Sequence, residues 1–455
     1  MELRDKKVLI VGFERTGEAL CRFLPGRGAR VLVTEKKPEA ELAKKIGPWR
    51  ERGVLFETGG HRLQTFLDAD LIIPSPGVPP LPEIKAAREK GISVLSEIEL
   101  AYRFLKGKIV AITGSNGKST TTTLAHKILK EAGLKARLAG NIGPPLISFA
   151  DRSRSDQIYV TEISSFQLEY TELFKADIAA FLNISQNHLD WHKSFEGYFA
   201  AKKKLFLRPG PEASVILNRD DPLVWGLAKE TAAAVYGFSR KRKPARGAGL
   251  EGGWIVLRDG KAERLIRTSR IPLPGTHNQE NVMAAALIGH IFGVPAAGIR
   301  RSVLTFRALE HRLEDVLTFR AVRFVNDSKA TTVDAALKAL ASFDRKIVLI
   351  LGGRDKGADF APLRRAVRRS VRSVVLVGEA AGKIEAALEG TVPMERAATY
   401  RDVVRLAFDR ASPGDVVLLA PACTSWDMFR NFEERGRTFK SEVRKLAGRA
   451  RGRRG

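Results

Sequence analysis

The sequence predicts an α/β protein of three domains, with a Rossmann-like domain at each end and a parallel-sheet domain of the P-loop ATPase type between them. Short apolar strands alternate with polar, helix-length segments, a pattern typical of βαβ units. The pattern runs into a glycine-containing turn at residues 12–17 and at residues 114–117, and it restarts after residue 311. We therefore place the domains at residues 1–97, 98–309 and 310–455.

Length and composition support several domains in one chain. At roughly 100 to 200 residues per domain, 455 residues are too many for one ordinary domain, and 44% hydrophobic residues are enough to build a core in each. Two cysteines, Cys21 and Cys423, exclude a disulfide framework and a cysteine-based zinc cluster. The apolar runs are strand-length, well below the ~20 residues of a membrane helix. No signal peptide is evident, so we expect a cytoplasmic protein without stable membrane insertion. We also expect a monomer, although the sequence itself does not give the oligomeric state.

The chain is strongly basic, with 77 Lys and Arg against 51 Asp and Glu and a net charge of +26. Clustered cations often bind nucleic acid by releasing counterions from phosphates. Here the clusters are peripheral, at residues 240–246, 364–372 and 448–455. We interpret them as solvated faces and expect no nucleic-acid partner, with phosphate-rich or membrane-surface partners as alternatives.

In the first domain, strands are predicted at residues 7–11, 31–34 and 71–74 and a helix at residues 18–24. The turn after the first strand has Glu14 where a dinucleotide-binding turn has its central glycine. An NAD-type pyrophosphate cannot approach such a turn in the usual way.

The second domain opens with a phosphate-binding signal. A strand at residues 109–113 leads into Gly-Ser-Asn-Gly-Lys-Ser and a helix over residues 121–129. Such a turn directs backbone N–H groups and a helix N-terminus at phosphate oxygens, with Lys118 at the β and γ phosphates and the Ser119 hydroxyl on Mg²⁺. Ile112 replaces the first glycine of the strict pattern, but the order of strand, turn and helix is the required one. The predicted nucleotide-binding residues are Gly114, Ser115, Asn116, Gly117, Lys118, Ser119 and Thr120.

A phosphate loop needs an acidic metal ligand on a neighbouring strand, and Glu162 ends the apolar run at residues 158–162. His188 follows another apolar strand, where a structural histidine is the alternative to a ligand.

Residues 239–253 read as a surface excursion. The third domain has predicted strands at residues 322–325, 347–351, 374–377 and 416–419.

Six sequence blocks in the second and third domains resemble one enzyme family. They are TGSNGKST (113–120), EISSFQLE (162–169), NISQNHLD (183–190), HNQEN (277–281), HRLE (311–314) and NDSKATT (326–332). Together with LGGRDKGADF (351–360), they resemble the Mur ligases, which are ATP-dependent amide ligases of peptidoglycan synthesis. The first domain is then the UDP-binding domain, the second binds ATP and the third binds the amino acid.

Within this family, SEIELAYRF (96–104) and LAPACTSWDMFRNFEERG (419–436) look most like the branch that adds D-glutamate to UDP-N-acetylmuramoyl-L-alanine. The resemblance implies ATP, two Mg²⁺ ions, these two small-molecule substrates and an acyl-phosphate intermediate. The alternatives are a sibling ligase, a folylpolyglutamate synthetase-like ligase, a nucleic-acid-stimulated P-loop ATPase and a silent UDP-sugar binder.

The resemblance also implies roles for individual residues. The catalytic set is Lys118, His188, Lys202, Arg312 and Lys356. The metal ligands are Ser119, Glu162, His188 and Lys202 as a carbamate, since a free ammonium would repel Mg²⁺ whereas a carbamate supplies oxygen ligands. For Lys202 the alternative is a surface lysine.

The remaining implied residues bind the substrates. ATP would also be bound by Asn278, Asn281, Arg312, Asp327 and Lys329, where an interdomain salt bridge is the alternative role of Arg312. The UDP substrate would be bound by Thr16, Glu35, Lys36, Ser75, Gly77, Asn141 and Ser164. D-glutamate would be bound by Thr331, Lys356, Ser425 and Phe432. Cys423 lies close to Ser425, but we reject it as a nucleophile because no neighbouring base is apparent.

Overall fold

Three β-sheets follow one another along the chain in the computed structural model, which describes residues 1–187, 189–207, 209–210, 212–307, 310–355 and 357–452, without the side chains of 189–190 and 449–452. The predicted class, a three-domain α/β protein with parallel sheets, is confirmed. By internal contacts the chain divides into two compact units. The first comprises residues 1–270 and 279–304, and the second comprises residues 271–278 and 305–455.

The first sheet has five parallel strands in the order β3-β2-β1-β4-β5. They are β1 Lys7–Val11, β2 Arg30–Glu35, β3 Leu55–Thr58, β4 Leu71–Pro74 and β5 Ser93–Val94. The helices are α1 Arg15–Phe23, α2 Glu39–Arg50, α3 Leu63–Leu67, α4 Pro82–Glu89 and α5 Glu97–Tyr102, with a 3-10 turn at Pro25–Arg27.

The second sheet has nine strands in the order β14-β13-β12-β11-β10-β9-β6-β8-β7. They are β6 Lys108–Thr113, β7 Lys135–Gly140, β8 Gln157–Glu162, β9 Ile178–Phe181, β10 Ser214–Asn218, β11 Ala234–Ser239, β12 Gly247–Glu251, β13 Trp254–Asp259 and β14 Lys261–Arg267. The helices are α6 Lys118–Glu131, α7 Ser165–Glu169, α8 Leu189–His192, α9 Phe195–Leu207, α10 Pro222–Gly226, α11 His277–Ile291 and α12 Ala296–Leu304. Short 3-10 helices occupy Leu146–Arg152, Leu227–Lys229 and Thr268–Arg270.

One sequence interpretation is wrong in this sheet. Residues 239–253 are not a surface excursion, because β12 pairs with β11 on one side and β13 on the other. The strand is Gly-Ala-Gly-Leu-Glu, a composition depleted in strand formers. Its glycines are required by packing, since a Cβ on Gly247 would lie 1.7 Å from the carbonyl oxygen of Gly237 on the neighbouring strand.

The third sheet has six strands in the order β15-β16-β20-β17-β18-β19, parallel except for the β15–β16 pair. They are β15 Glu314–Phe319, β16 Val322–Asn326, β17 Ile347–Gly352, β18 Val371–Val377, β19 Met394–Ala397 and β20 Val416–Leu419. The helices are α13 Val333–Leu340, α14 Leu363–Ser370, α15 Ala381–Leu388, α16 Tyr400–Asp409 and α17 Phe432–Gly452.

The central strands form where apolar residues run without interruption. All six residues of β17 and all four of β20 are buried, since helices cover both faces of the third sheet and a separate apolar cluster lies on each face. No helix in the described part of the chain combines the length and apolar content that crossing a bilayer requires.

Helix α17 contains a glycine at a point of close contact. A Cβ on Gly436 would lie 2.2 Å from Nδ1 of His311, a buried imidazole that also contacts Nδ2 of Asn326 at 3.0 Å. The missing side chain of Gly436 therefore makes room for the start of the third sheet.

Replacing this glycine tests the packing. Gly436→Ala should lower the free energy of unfolding by about 1–3 kcal/mol, because the methyl group overpacks the His311 contact. Gly448 lies in the same helix, and a methyl group added there would meet no atom within 4 Å, so Gly448→Ala should instead stabilise by about 0.5–1 kcal/mol through helix propensity. Urea denaturation of both variants measures the difference, and equal stabilisation by the two substitutions would contradict the packing argument.

Candidate active site

The phosphate loop joins β6 to α6 in the first unit, and its backbone requires glycine. Gly117 has φ +85°, and a Cβ there would lie 2.2 Å from Oδ1 of Asn281. Asn281 is itself buried and accepts a hydrogen bond from Oγ1 of Thr121 at 3.3 Å. Asn281, from α11, therefore fits against the loop in the space that a side chain at position 117 would take.

The loop is held in shape by the segment after β9, the strand next to β6. The backbone N–H of Ser115 donates to the carbonyl of Asn183 at 2.9 Å, and that of Asn116 donates to Oδ1 of Asn183 at 2.9 Å. The Ser115 hydroxyl donates to the carbonyl of Ser185 at 3.1 Å. Hydrogen bonds within the protein therefore hold the loop in its conformation.

The polar groups of the loop lie at the start of α6. Nζ of Lys118 donates to the carbonyls of Gly114 and Ser115 at 2.9 and 3.0 Å. Ser119 and Thr120 are buried in the first turn of the helix. The arrangement therefore offers a cation, hydroxyls and a helix N-terminus at one place, which is what a polyphosphate requires.

Glu162 ends β8, the other neighbour of β6, and is buried. Its Oε1 accepts a hydrogen bond from Nδ2 of Asn141 at 2.9 Å. The carboxyl ends of parallel strands meet at one edge of a sheet, so Glu162 and the phosphate loop share that edge.

Lys202 lies on α9 with only 1% of its surface exposed. Its Nζ donates to Oγ1 of Thr113, the last residue of β6, at 3.0 Å and lies 4.9 Å from the ring centre of Tyr198. Burial, with a smaller contribution from the nearby Lys118 cation, holds the pKa of Lys202 well below its usual value. The alternative of a surface lysine is therefore wrong.

A cleft of about 710 Å³ lies in the same unit, at the carboxyl ends of the first sheet's strands. Among its lining residues are six of the seven side chains or glycines expected to bind the UDP substrate, namely Thr16, Glu35, Lys36, Ser75, Gly77 and Asn141. Glu97 and Gln167 also line it, although the sequence analysis assigned them no role. Ser164 instead caps α7, with its hydroxyl accepting from the backbone N–H of Gln167 at 3.3 Å.

The charged turn after β1 is stabilised within the first sheet. The carboxylate of Glu35 accepts from the backbone N–H groups of Phe13 and Lys37 at 2.7 and 3.1 Å. Glu14 forms an ion pair with Lys37 at 2.9 Å, and its pKa lies below the usual value because hydrogen bonds and charge from Lys37 and Lys45 outweigh its burial. The negative charge of Glu14 is therefore balanced by the neighbouring cations Lys37 and Lys45.

In the second unit, Asp327 follows β16 and is buried. Burial raises its pKa to about 6, against the opposing effects of Arg312, the Leu313 N–H and Lys329. The Leu313 N–H donates to Oδ1 of Asp327 at 3.2 Å. Arg312, Asp327 and Lys329 therefore form one electrostatic group. Asn278 also belongs to this unit, where its Nδ2 donates to the carbonyl of Pro274 at 2.6 Å.

The residues expected at D-glutamate follow neighbouring strands of the third sheet. Nζ of Lys329 lies 5.6 Å from the ring centre of Phe432. Thr331 follows in the loop after β16, and Ser425 is buried in the loop after β20. Lys356 and His188 lie outside the described residues.

Sequence reasoning missed Arg435, which connects these loops. Its guanidinium is 1% exposed and donates to Oγ and the carbonyl of Ser328 at 2.9 and 2.8 Å. It also donates to the carbonyls of Cys423 and Thr424, each at 3.1 Å. Thr424 in turn exchanges backbone hydrogen bonds with Arg354 in the loop after β17. Arg435 thus lies at the junction of the loops after β16 and β20, and the Thr424 pairing ties in a third.

Cys423 is buried in this junction. Burial raises the pKa of its thiol to about 12, so it carries almost no thiolate near neutral pH. This agrees with its rejection as a nucleophile.

The first unit offers oxygen ligands suited to Mg²⁺, which is held by few carboxylates together with substrate phosphates. Ser119 and Glu162 fit that requirement, whereas an unmodified Lys202 supplies no oxygen. Across the described ranges, no group of three or more His, Cys, Asp or Glu side chains is arranged to hold a metal ion.

Models of three known domains match the chain in order. The Mur ligase MurD-like N-terminal domain matches residues 6–96, the Mur ligase middle domain residues 112–289, and the Mur ligase glutamate ligase domain residues 311–423. The three matches together span most of the chain.

Curated relatives align over nearly the full length. A protein of Acidobacterium capsulatum named "UDP-N-acetylmuramoylalanine--D-glutamate ligase" is 48% identical over 447 residues, with 97% of each chain covered. A protein of the same name from Koribacter versatilis is 46% identical over 449 residues, with 98% of this chain and 99% of the relative covered.

Solved structures share the fold. A pseudomurein peptide ligase type C from Methanothermus fervidus superposes with a TM-score of 0.62 at 19% identity, covering 97% of this chain and all of that one. UDP-N-acetylmuramate-alanine ligase from Thermotoga maritima gives a TM-score of 0.62 at 18% identity with the same coverage. With three matching domains in order and relatives nearly half identical from end to end, the chain belongs to the Mur ligase family.

Proposed function

We propose that the chain joins D-glutamate to UDP-N-acetylmuramoyl-L-alanine, converting ATP to ADP and phosphate, in cytoplasmic peptidoglycan precursor synthesis. The observation that carries the proposal is the position of Asn141. This residue lines the cleft proposed for the acceptor, and its amide binds Glu162 beside the phosphate loop. The acceptor carboxylate at the end of that cleft would therefore meet the γ-phosphate of ATP.

The proposed reaction has two steps. A carboxylate oxygen of the acceptor attacks the γ-phosphorus, the bond to the β,γ-bridging oxygen breaks, and ADP leaves with that electron pair. The amine of D-glutamate then attacks the acyl carbon, a proton leaves the nitrogen, and phosphate departs to give the amide. Both steps bring anions together, so the main task of the protein is electrostatic stabilisation and positioning.

Individual residues serve these steps. Lys118 and the loop N–H groups bind the β and γ phosphates, and Asn141 with Glu162 orients the acceptor end near them. Ser119 and Glu162, with His188 and a modified Lys202, would hold two Mg²⁺ ions. When bound, these ions neutralise the triphosphate and the acceptor carboxylate. Asn278, Asn281, Arg312, Asp327 and Lys329 are proposed for ATP, and Thr331, Lys356, Ser425 and Phe432 for D-glutamate.

Lys202 is proposed to act as a carbamate. Its lowered pKa favours the neutral amine, the form whose lone pair attacks CO₂ to give a carbamate with release of a proton. The product is an anion with two oxygens where an ammonium would oppose metal binding.

The proposed partners are small molecules, and we propose that the chain acts as a monomer without nucleic acid. We propose domain limits between residues 97 and 98 and between residues 309 and 310, so that each domain contains one of the three sheets. In this division the first domain selects the UDP-sugar, the second binds ATP and the third binds the amino acid.

Phosphate release tests the reaction. ATP and Mg²⁺ should yield phosphate only when UDP-N-acetylmuramoyl-L-alanine and D-glutamate are both present, in a matrix of muramoyl acceptors and amino acids with single-stranded DNA as a further arm. Lys118→Ala should lower kcat by roughly 100- to 1000-fold, because charge developing on the transferred phosphate loses a cation, while its melting curve stays that of the wild type. Phosphate release with a different pair of acceptor and amino acid would identify the chain as another member of the family. ATP hydrolysis stimulated by DNA alone would refute the ligase proposal.

Two adjacent lysines test the carbamate. Lys202→Ala should reduce kcat by roughly 100-fold or more through loss of a metal ligand. Lys203 pairs with Glu230 on the surface, so Lys203→Ala should leave turnover within about twofold of wild type. In ¹³C-bicarbonate solution, a carbamate carbon signal should be present in the wild type and in Lys203→Ala. It should be absent in Lys202→Ala. The same signal in all three proteins would place the modification elsewhere.

A further inference from the structure

Two buried glutamates lie two residues apart on helix α5 and differ in how their oxygens are satisfied. Oε2 of Glu99 accepts three backbone N–H groups, from Glu172, Leu173 and Phe174, at 2.8 to 3.0 Å. Its Oε1 accepts from Nε of Arg103 at 2.9 Å. Glu99 is therefore a fully bonded structural carboxylate.

Glu97 is equally buried, with 1% of its surface exposed, but only one of its oxygens has partners. Oε1 accepts from the backbone N–H of Ile147 at 2.6 Å. Oε2 has no hydrogen-bond partner among the described residues. Since Glu97 lines the cleft, a molecule bound there is the group that can complete this carboxyl.

The surroundings of Glu97 favour its neutral form. Burial raises its pKa to about 7, with the hydrogen bonds from Ile147 and Leu146 opposing the rise. Titratable groups that line the same cleft are Glu14, Arg15, Glu35, Lys36, Lys37, His61 and Glu83. The 3-10 helix packed against α5 carries two charged residues, Asp151 and Arg152. Asp151 forms an ion pair with Arg27. Helix α5 itself carries Glu99.

The bonding pattern also assigns the two oxygens. In a neutral carboxyl group the carbonyl oxygen accepts hydrogen bonds and the other oxygen carries the proton. Oε1 already accepts the backbone N–H of Ile147 and Oε2 has no partner among the described residues, so Oε2 is the oxygen assigned to donate. Asn141, Pro145 and Gln167 line the same cleft as Glu97.

We propose that Glu97 is a substrate-binding residue whose Oε2–H donates a hydrogen bond to a carbonyl or hydroxyl oxygen of the muramoyl-peptide part of the acceptor. This inference rests on the proposed function, because it takes the acceptor of that reaction as the occupant of the cleft. A diphosphate and a carboxylate in the same ligand disfavour an ionised Glu97, so the acceptor and the proton bind together.

The pH dependence has a definite sign. Binding requires the protonated form, so the acceptor affinity is full below pH 7 and declines as pH rises through the pKa of the free protein. The dissociation constant should rise roughly 20-fold between pH 6.5 and pH 8.5 in the wild type. At pH 8, binding should take up about 0.9 proton per acceptor, because most Glu97 in the free protein is ionised there.

Isothermal titration calorimetry of UDP-N-acetylmuramoyl-L-alanine, without ATP or D-glutamate and in two buffers of different ionisation enthalpy, measures both quantities. Glu97→Gln retains an oxygen for Ile147 and an N–H donor for the acceptor at every pH. This variant should bind with the wild-type affinity of pH 6.5 at both pH values and should lose the proton uptake. Glu99→Gln removes a buried carboxylate from the same helix without touching the cleft, so it should keep the wild-type uptake even where its melting temperature falls.

The outcomes separate the two proposals. If wild type binds the acceptor but Glu97→Gln shows the same proton uptake, Glu97 is only a cap for the 3-10 helix and the inference is refuted. If Glu97→Gln binds weakly at both pH values, the group accepts as a carboxylate and the inference is again wrong. If wild type does not bind this acceptor at all, the proposed function fails and the inference fails with it.

Discussion

Parallel strand pairing is the constraint on which the rest of the molecule depends. Neighbouring parallel strands end at one edge of a sheet, and the loops that follow them are brought together there whatever their separation in sequence. The loops after β6, β8 and β9 meet in this way in the second sheet, as do those after β16, β17 and β20 in the third. The apolar strands supply the rigid frame, and several of the residues proposed for the chemistry lie just beyond their ends.

The protein also buries side chains that are normally charged. Lys202 and Glu97 are both nearly inaccessible, and burial shifts both pKa values toward the neutral form. A neutral amine and a neutral carboxyl group have reactivities that their ions lack, namely a free lone pair and an acidic hydrogen-bond donor. In Glu99 the same kind of carboxyl group is bonded on both oxygens, so burial by itself does not produce this chemistry.

Sequence patterns predicted the buried central strands but not the edge strands, because strands buried on both faces are continuous apolar runs, as β1, β4, β17 and β20 are. Helix α6 begins at Lys118, three residues before its predicted start, because the N-cap carbonyl of Gly117 already accepts the first helical hydrogen bond, from the N–H of Thr121 at 2.9 Å. Strand β12 was missed because its glycine-rich sequence lacks strand formers, and the glycine at position 247 is required by close contact with Gly237 on the neighbouring strand. Arg435 and Glu97 lie inside the two blocks that indicated the D-glutamate-adding branch, but their roles could not be assigned, because their partners Ser328 and Ile147 are far away in sequence.

The Arg435 junction has a consequence for how this protein can change over evolutionary time. One guanidinium holds Ser328, Cys423 and Thr424, and Thr424 pairs with Arg354, so three loops share one set of hydrogen bonds. A mutation that shifts one loop disturbs the geometry of the other two. If these loops bind the incoming amino acid as proposed, a change of its specificity requires coordinated replacements in more than one of the three loops.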